Sequence, residues 1–186
     1  MPVSIEIEKK FRLTKKQREA VLARLSALGA ELKANEFEEN TLYGGEQIDL
    51  SRSVLRVRRV GERAILTYKE RFSTTSSIKH QQEDETEVGD ADALDAILQA
   101  LGFAPALVYE KRRMTWQLGQ AEIVVDDLPF GLFMEIEAGE AEINEVERKL
   151  GIKGLKPEHS TYPGLTLAHG KKSGSVIEAR FDSKSK

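Results

Sequence analysis

Charged side chains return at every second position in stretch after stretch of this chain, with apolar residues between them. The first is Ile5-Glu6-Ile7-Glu8-Lys9-Lys10-Phe11. In a strand its successive side chains point to opposite faces. Glu6, Glu8 and Lys10 then share one face, and Ile5, Ile7 and Phe11 the other, with Lys9 the exception. Further rows are Arg56 and Arg58; Glu83, Glu85 and Glu87; Lys111 and Arg113; Glu135 and Glu137. Lys69 and Asp126 end strands of their own. A single row of this kind is an ordinary solvated face. Its return in strand after strand asks for another explanation.

Between the strands lie helices. Thr14 and Gln17 form a capping box, and Val21, Leu22, Leu25 and Leu28 make one apolar face that ends at Gly29. Asp90 caps a second helix, striped by Leu94, Ile97, Leu98 and Leu101. Ile143, Val146 and Leu150 mark a third, closed by Gly151, and a short helix is expected around His159 to Ala168. Ser51 to Val60 and Ala64 to Lys69 read as a hairpin turned at Gly61-Glu62. Glu36 to Tyr43 reads as a short strand, Arg71 to Gln82 as a long loop, and the Ser-, Gly- and Lys-rich end after Lys171 as disordered. The expected division is one domain over 1–170 and a basic tail over 171–186. Residues 6–29 and 85–102 share a Glu-x-Glu, helix, Ala-Leu-Gly pattern, the trace of a duplicated unit that could close an antiparallel barrel.

Two barrels fit these rows. One faces its charges to water around an apolar interior. The other turns its apolar faces outward under the helices and lines its bore with charge. The amphipathic helices need an apolar surface to lie on, which favours the second. The expected fold class is therefore α+β, an eight-stranded antiparallel β-barrel (a tunnel) with helices packed on the outside. Like charges about 4 Å apart repel by roughly 4 kcal/mol at an effective dielectric near 20. Lys10, Arg56, Arg58, Lys69, Lys111 and Arg113 in one bore therefore call for a polyanion. The carboxylates, with no His or Cys beside them, call for a hard cation such as Mg²⁺ or Mn²⁺. A metal-bound phosphate chain satisfies both.

Glu6-Ile7-Glu8-Lys9-Lys10 resembles the Glu-x-Glu-x-Lys motif of the CYTH superfamily, the triphosphate tunnel metalloenzymes. Leu55-Arg56-Val57-Arg58, Leu66-Thr67-Tyr68-Lys69, Glu85-Thr86-Glu87, Lys111-Arg112-Arg113, Val125-Asp126 and Phe133-Met134-Glu135-Ile136-Glu137 match its later motifs in order, from about Ser4 to Tyr162. The resemblance implies that the basic side chains hold a triphosphate. It also implies that Glu6, Glu8, Glu135 and Glu137, with Glu85, Glu87 and Asp126, bind one or two Mg²⁺ or Mn²⁺ ions. Where many members carry Asp-x-Tyr, this chain has Asn40-Thr41-Leu42-Tyr43, so the acid of that motif is missing here.

The expected function is metal-dependent hydrolysis of a triphosphate-containing small molecule. Lys10, Glu135 and Glu137 are the expected catalytic residues, one of the two glutamates orienting the attacking water. The alternatives are a class IV-type adenylyl cyclase making cyclic AMP from ATP, and a non-catalytic module that binds polyphosphate or a nucleotide. A net charge of −3 offers no basic field for nucleic acid. No apolar run approaches the roughly 20 residues of a membrane span. With no apolar signal segment at the N-terminus, a cytoplasmic location is expected. A homodimer is compatible with the sequence. His80, His159 and His169 have no metal-ligand spacing, and Trp116 and Tyr109 read as packing residues.

Overall fold

In the computed structural model, which describes residues 5–49, 52–72 and 78–182, the alternating stretches pair into one sheet that closes on itself. The elements are β1 (Ile5–Leu13), α1 (Lys15–Ala27), β2 (Glu31–Gly44), β3 (Ser53–Val60), β4 (Arg63–Arg71), β5 (Lys79–Val88), α2 (Ala91–Ala100), β6 (Ala104–Leu118), β7 (Ala121–Leu128), β8 (Gly131–Glu137), α3 (Glu140–Leu150), α4 (Tyr162–His169), β9 (Lys171–Ser173) and β10 (Val176–Ala179). Strands β2-β3-β4-β5-β1-β8-β7-β6 follow one another around the wall, and β2 pairs back onto β6. Every pairing in this ring is antiparallel. The fold is the eight-stranded α+β tunnel expected from the sequence.

The helices decide which face of the wall looks inward. Phe11, Ile123, Val125, Met134 and Ile136 point outward and meet Val21 and Leu25 of α1 and Ile143 and Val146 of α3. Burying one such side chain is worth about 1.5–3 kcal/mol. The opposite register would expose all of them. Tyr43 and Val57 lie under Leu98 of α2, and Tyr162 and Leu165 of α4 pack with Tyr109 and Phe133. Lys9, the exception in the first row, stands on the helix side. There its Nζ meets Glu147 of α3 at 2.6 Å, so the misplaced charge is paired. The Thr14–Gln17 capping box and the Asp90 cap form as expected, and Gly151 takes the left-handed conformation that ends α3.

Three expectations are corrected. The second strand is not short: β2 runs along β6 from Glu31 opposite Gln117 to Gly44 opposite Ala104. This pairing is non-local, and β2 is polar on both faces near Glu36 to Glu39, which hides it from a search for alternation. The expected loop is also shorter, because β5 begins at Lys79; residues 73–77 of that loop lie outside the described residues. The tail expected to be disordered instead forms a β9–β10 hairpin, with β10 laid parallel to β6 at Leu107–Tyr109. Gly174, at φ 61°, makes the turn, and Ala179 is buried with the α4 cluster. Residues 183–186 lie outside the described residues. No helix among the described residues is long and apolar enough to cross a membrane.

Candidate active site

The inward rows enclose a cavity of about 590 Å³. All six expected phosphate-binding cations line it: Lys10, Arg56, Arg58, Lys69, Lys111 and Arg113. Because each sits at an inward position of its strand, they come from β1, β3, β4 and β6. The carboxylates Glu6, Glu8, Glu83, Glu85, Glu122, Glu135 and Glu137 share the bore.

Acids and bases that are segregated along the sequence are interleaved across the bore. Lys10 Nζ lies 3.1 Å from Glu135 Oε1 and 3.8 Å from the centre of the Tyr162 ring, and it donates to the Ser160 carbonyl at 3.3 Å. Burial pulls the Lys10 ammonium down, but Glu135 and Glu8 outweigh it and hold the pKa above its usual value. Lys69 Nζ meets Glu6 at 2.7 Å and Glu83 at 2.9 Å. Gln81 also donates to Glu6, at 2.7 Å. Arg58 grips both oxygens of Glu85, at 3.0 and 2.9 Å, and Thr67 donates to the same carboxylate at 2.9 Å. Arg56 donates to the Thr67 hydroxyl at 3.1 Å.

The deepest group centres on β6. Arg113 donates to both oxygens of Asp126 and, at 3.0 Å, to Glu135. Tyr162 adds its hydroxyl to Asp126 at 2.8 Å. Lys111 lies 3.2 Å from Glu38 and 3.7 Å from Asp126. Burial and the Arg113 charge push its ammonium down to about 8. Burial alone would raise the Glu38 carboxyl, but Lys111, Arg113, Arg58 and Arg56 hold it down at about 2.

At the other end three carboxylates stand in one cross-strand row. Glu8 on β1 faces Glu137 on β8, which faces Glu122 on β7. Directly opposed like charges are destabilising. Partial burial and the charges of Glu6 and Glu122 push the Glu137 carboxyl up to about 8. An all-oxygen donor set suits a hard divalent cation. Glu6, Glu8, Glu122, Glu135 and Glu137 could contribute to holding one. Among the described residues, no three His, Cys, Asp or Glu side chains already converge on one point as a finished metal cradle.

Five of the seven acids expected to bind metal, Glu6, Glu8, Glu85, Glu135 and Glu137, face the cavity. Glu87 does not line it. It shares a face with Glu85, but its side chain is 70 % exposed, beyond the rim and 3.9 Å from Arg63. Asp126 is fully buried beneath the cations, with its oxygens taken by Arg113 and Tyr162. Glu38, Gln81 and Glu122 are site residues that the sequence reading missed. Counting by twos from Asn40 or Asp126 would have found Glu38 and Glu122. Trp116 packs in the core under α1 and α3, and His169 stacks on Phe130 away from the tunnel.

A sequence model described as "CYTH domain" matches residues 4–159. No curated protein gives a significant match. Among solved structures, the PH1012 protein of Pyrococcus horikoshii OT3 superposes with a TM-score of 0.75 at 28% identity, covering 84% of this chain and 96% of that one. A conserved hypothetical protein from Pyrococcus furiosus gives 0.73 at 25%, covering 84% and 97%. The Hippeastrum protein HpAC1, an adenylyl cyclase candidate described as revealing a dominant triphosphatase activity, gives 0.69 at 18%, covering 91% and 98%. At that identity the likeness is one of fold.

Proposed function

This chain belongs to the CYTH domain family, and from that membership we propose that it is a divalent-metal-dependent hydrolase of triphosphate substrates. One observation carries the reading: six cations and a row of carboxylates share a single closed bore. The triphosphatase activity ascribed to HpAC1, a protein of the same fold, agrees with it.

The phosphate chain would lie along Arg56, Arg58, Lys111 and Arg113, whose guanidinium forks match pairs of phosphate oxygens while lysines act as point charges. Lys10 and Lys69 would neutralise the phosphoryl group as its bond to the leaving pyrophosphate breaks. Glu6, Glu8 and Glu137 would hold Mg²⁺ or Mn²⁺, with Glu135 and Glu122 beside them. A bound metal of this kind screens phosphate charge and acidifies water. Glu135 is engaged by both Lys10 and Arg113. Glu137, which lacks those two contacts, would orient the attacking water beside the metal. Asp126 would serve as a counter-ion that sets Arg113 and Lys111, and Glu87 would take no part.

The test offers purified protein inorganic tripolyphosphate, ATP and thiamine triphosphate with Mg²⁺ or Mn²⁺, following phosphate and cyclic AMP separately. Phosphate release that stops in EDTA is expected. Cyclic AMP as the main product would replace the hydrolase with a cyclase. Tight binding without turnover would leave a binding module.

Lys111 gives the proposal a pH signature. An amine whose pKa is depressed to about 8 is charged below that pH and neutral above it. Tripolyphosphate affinity should therefore fall as pH rises through about 8, while Lys111→Arg keeps its affinity to higher pH. Calorimetric titrations across pH 6–10 would check this, and a flat wild-type profile would remove Lys111 from the phosphate site.

A further inference from the structure

Glu38 is the acid least expected from the sequence and the most enclosed by cations. It is 1 % exposed. Its Oε2 lies 3.2 Å from Lys111 Nζ, and its Oε1 lies 3.8 Å from Arg58 Nη1 and 3.9 Å from Arg113 Nε. All three cations line the bore, and Glu38 stands behind them. Asn40, next along the same face of β2, donates to Glu38 Oε2 at 3.3 Å. Asn40 is itself fully buried, opposite Arg58 on one side and Tyr109 on the other, and its Oδ1 has no hydrogen-bond partner.

These contacts make two demands on one carboxylate. Without it, one buried and two partly buried cations would repel one another at close range. With it, part of the positive charge that a phosphate chain would meet is already neutralised. We propose that Glu38 is a resident counter-anion: it holds Arg58, Lys111 and Arg113 assembled in the substrate-free protein and weakens their grip on the phosphate chain. It is a positioning residue that sets affinity through the cations it contacts. The inference rests on the reading of the tunnel as a phosphate-chain site. It also accounts for Asn40. The acid that the family resemblance leads one to expect at position 40 is absent, and this chain carries its buried charge two residues earlier on the same strand face.

The test moves that charge. Binding of inorganic tripolyphosphate is measured by calorimetry in EDTA at pH 6, below the Lys111 pKa, and KM is measured with Mg²⁺. Glu38→Gln keeps the shape of the side chain and removes its charge. It should melt at a lower temperature than wild type, yet bind tripolyphosphate tighter by about tenfold or more, on the scale of one close charge contact. Its KM should fall as well. Adding Asn40→Asp to Glu38→Gln should return affinity and KM towards wild type. Asn40→Asp alone should weaken binding. A merely structural Glu38 predicts the opposite for Glu38→Gln: cations that splay apart and bind the anion more weakly. Binding no tighter than wild type, or no recovery in the double variant, overturns the proposal. If Glu38→Gln does not fold, Asn40→Asp alone decides, and unchanged or tighter binding overturns it. Failure of the wild-type protein to bind tripolyphosphate both in EDTA and with Mg²⁺ would overturn the phosphate reading and this proposal together. Wild-type binding with an unaltered Glu38→Gln overturns this one alone.

Discussion

Replacing Asp126 by Ala should lower the unfolding free energy by about 3–5 kcal/mol, the usual cost of stripping one partner from a buried charge pair. Asp126 is fully buried. It takes two hydrogen bonds from Arg113 and one from the Tyr162 hydroxyl, and it lies 3.7 Å from Lys111. Removing it leaves Arg113 leaning on Glu135 and Glu38 alone. Tyr162 would keep a buried hydroxyl without its acceptor, a further cost of about 1–3 kcal/mol if nothing relaxes to meet it. Asp126→Asn should fall between wild type and Ala, because an amide oxygen still accepts from Tyr162 while the charge is gone. Guanidinium denaturation of the three proteins would measure this. A loss below about 1 kcal/mol in Asp126→Ala would show the pair to be no better than a surface contact. A Mg²⁺ titration of the variants separates the two roles open to this acid. As a counter-ion, Asp126 leaves a defect that added metal does not repair. Recovery at high Mg²⁺ would return it to the metal ligands.

Glu137→Gln should act in the opposite way, removing turnover while leaving the fold intact or firmer. As a proposed ligand, Glu137 would help hold the metal that supplies several kcal/mol of transition-state stabilisation, so the expected loss is about a thousandfold or more in kcat. The effect on stability follows from its titration. Partial burial and the neighbouring Glu6 and Glu122 charges raise the carboxyl from 4.5 to about 8. Between those two values the folded protein holds a proton that the unfolded chain has released. Stability therefore falls as pH rises through that window. Glu137→Gln, with no proton to lose, should lack this decline, and saturating Mg²⁺ should flatten it in the wild type. Melting curves at pH 5 and pH 9, with and without metal, would show both effects. A decline that survives in Glu137→Gln would have to come from another group.

What could be read from the sequence depended on local contrast. In β1, β3 and β8 the charged rows alternate with Ile, Leu, Val and Met, so both the strand and its inward face are visible. In β2 the stretch Glu36-Phe37-Glu38-Glu39 has acids on both faces, and nothing local marks Glu38 as the buried one. Only the pairing with β6, more than seventy residues later, brings it beside Lys111. Asp126 matched a family motif, but whether a carboxylate faces a metal or a guanidinium depends on what the opposite strands bring. Here it faces the Arg113 fork. Glu87 shows the limit of counting by twos: it shares a face with Glu85, yet its strand has already run past the rim. The β9–β10 hairpin was hidden because its few apolar residues gain meaning only against β6 and α4.

The order of strands around the wall also bears on how the chain is made. β1 leaves the ribosome ahead of the other strands, but its neighbours are β5 and β8, so one of its edges finds no partner until residue 137 has been synthesised. The β2–β6 seam waits in the same way for residue 118. Such distant pairings make for slow assembly and expose sticky strand edges meanwhile. The helices that follow β1 and β5 are the parts able to form at once, and they give the nascent chain something to collapse upon before the ring can shut.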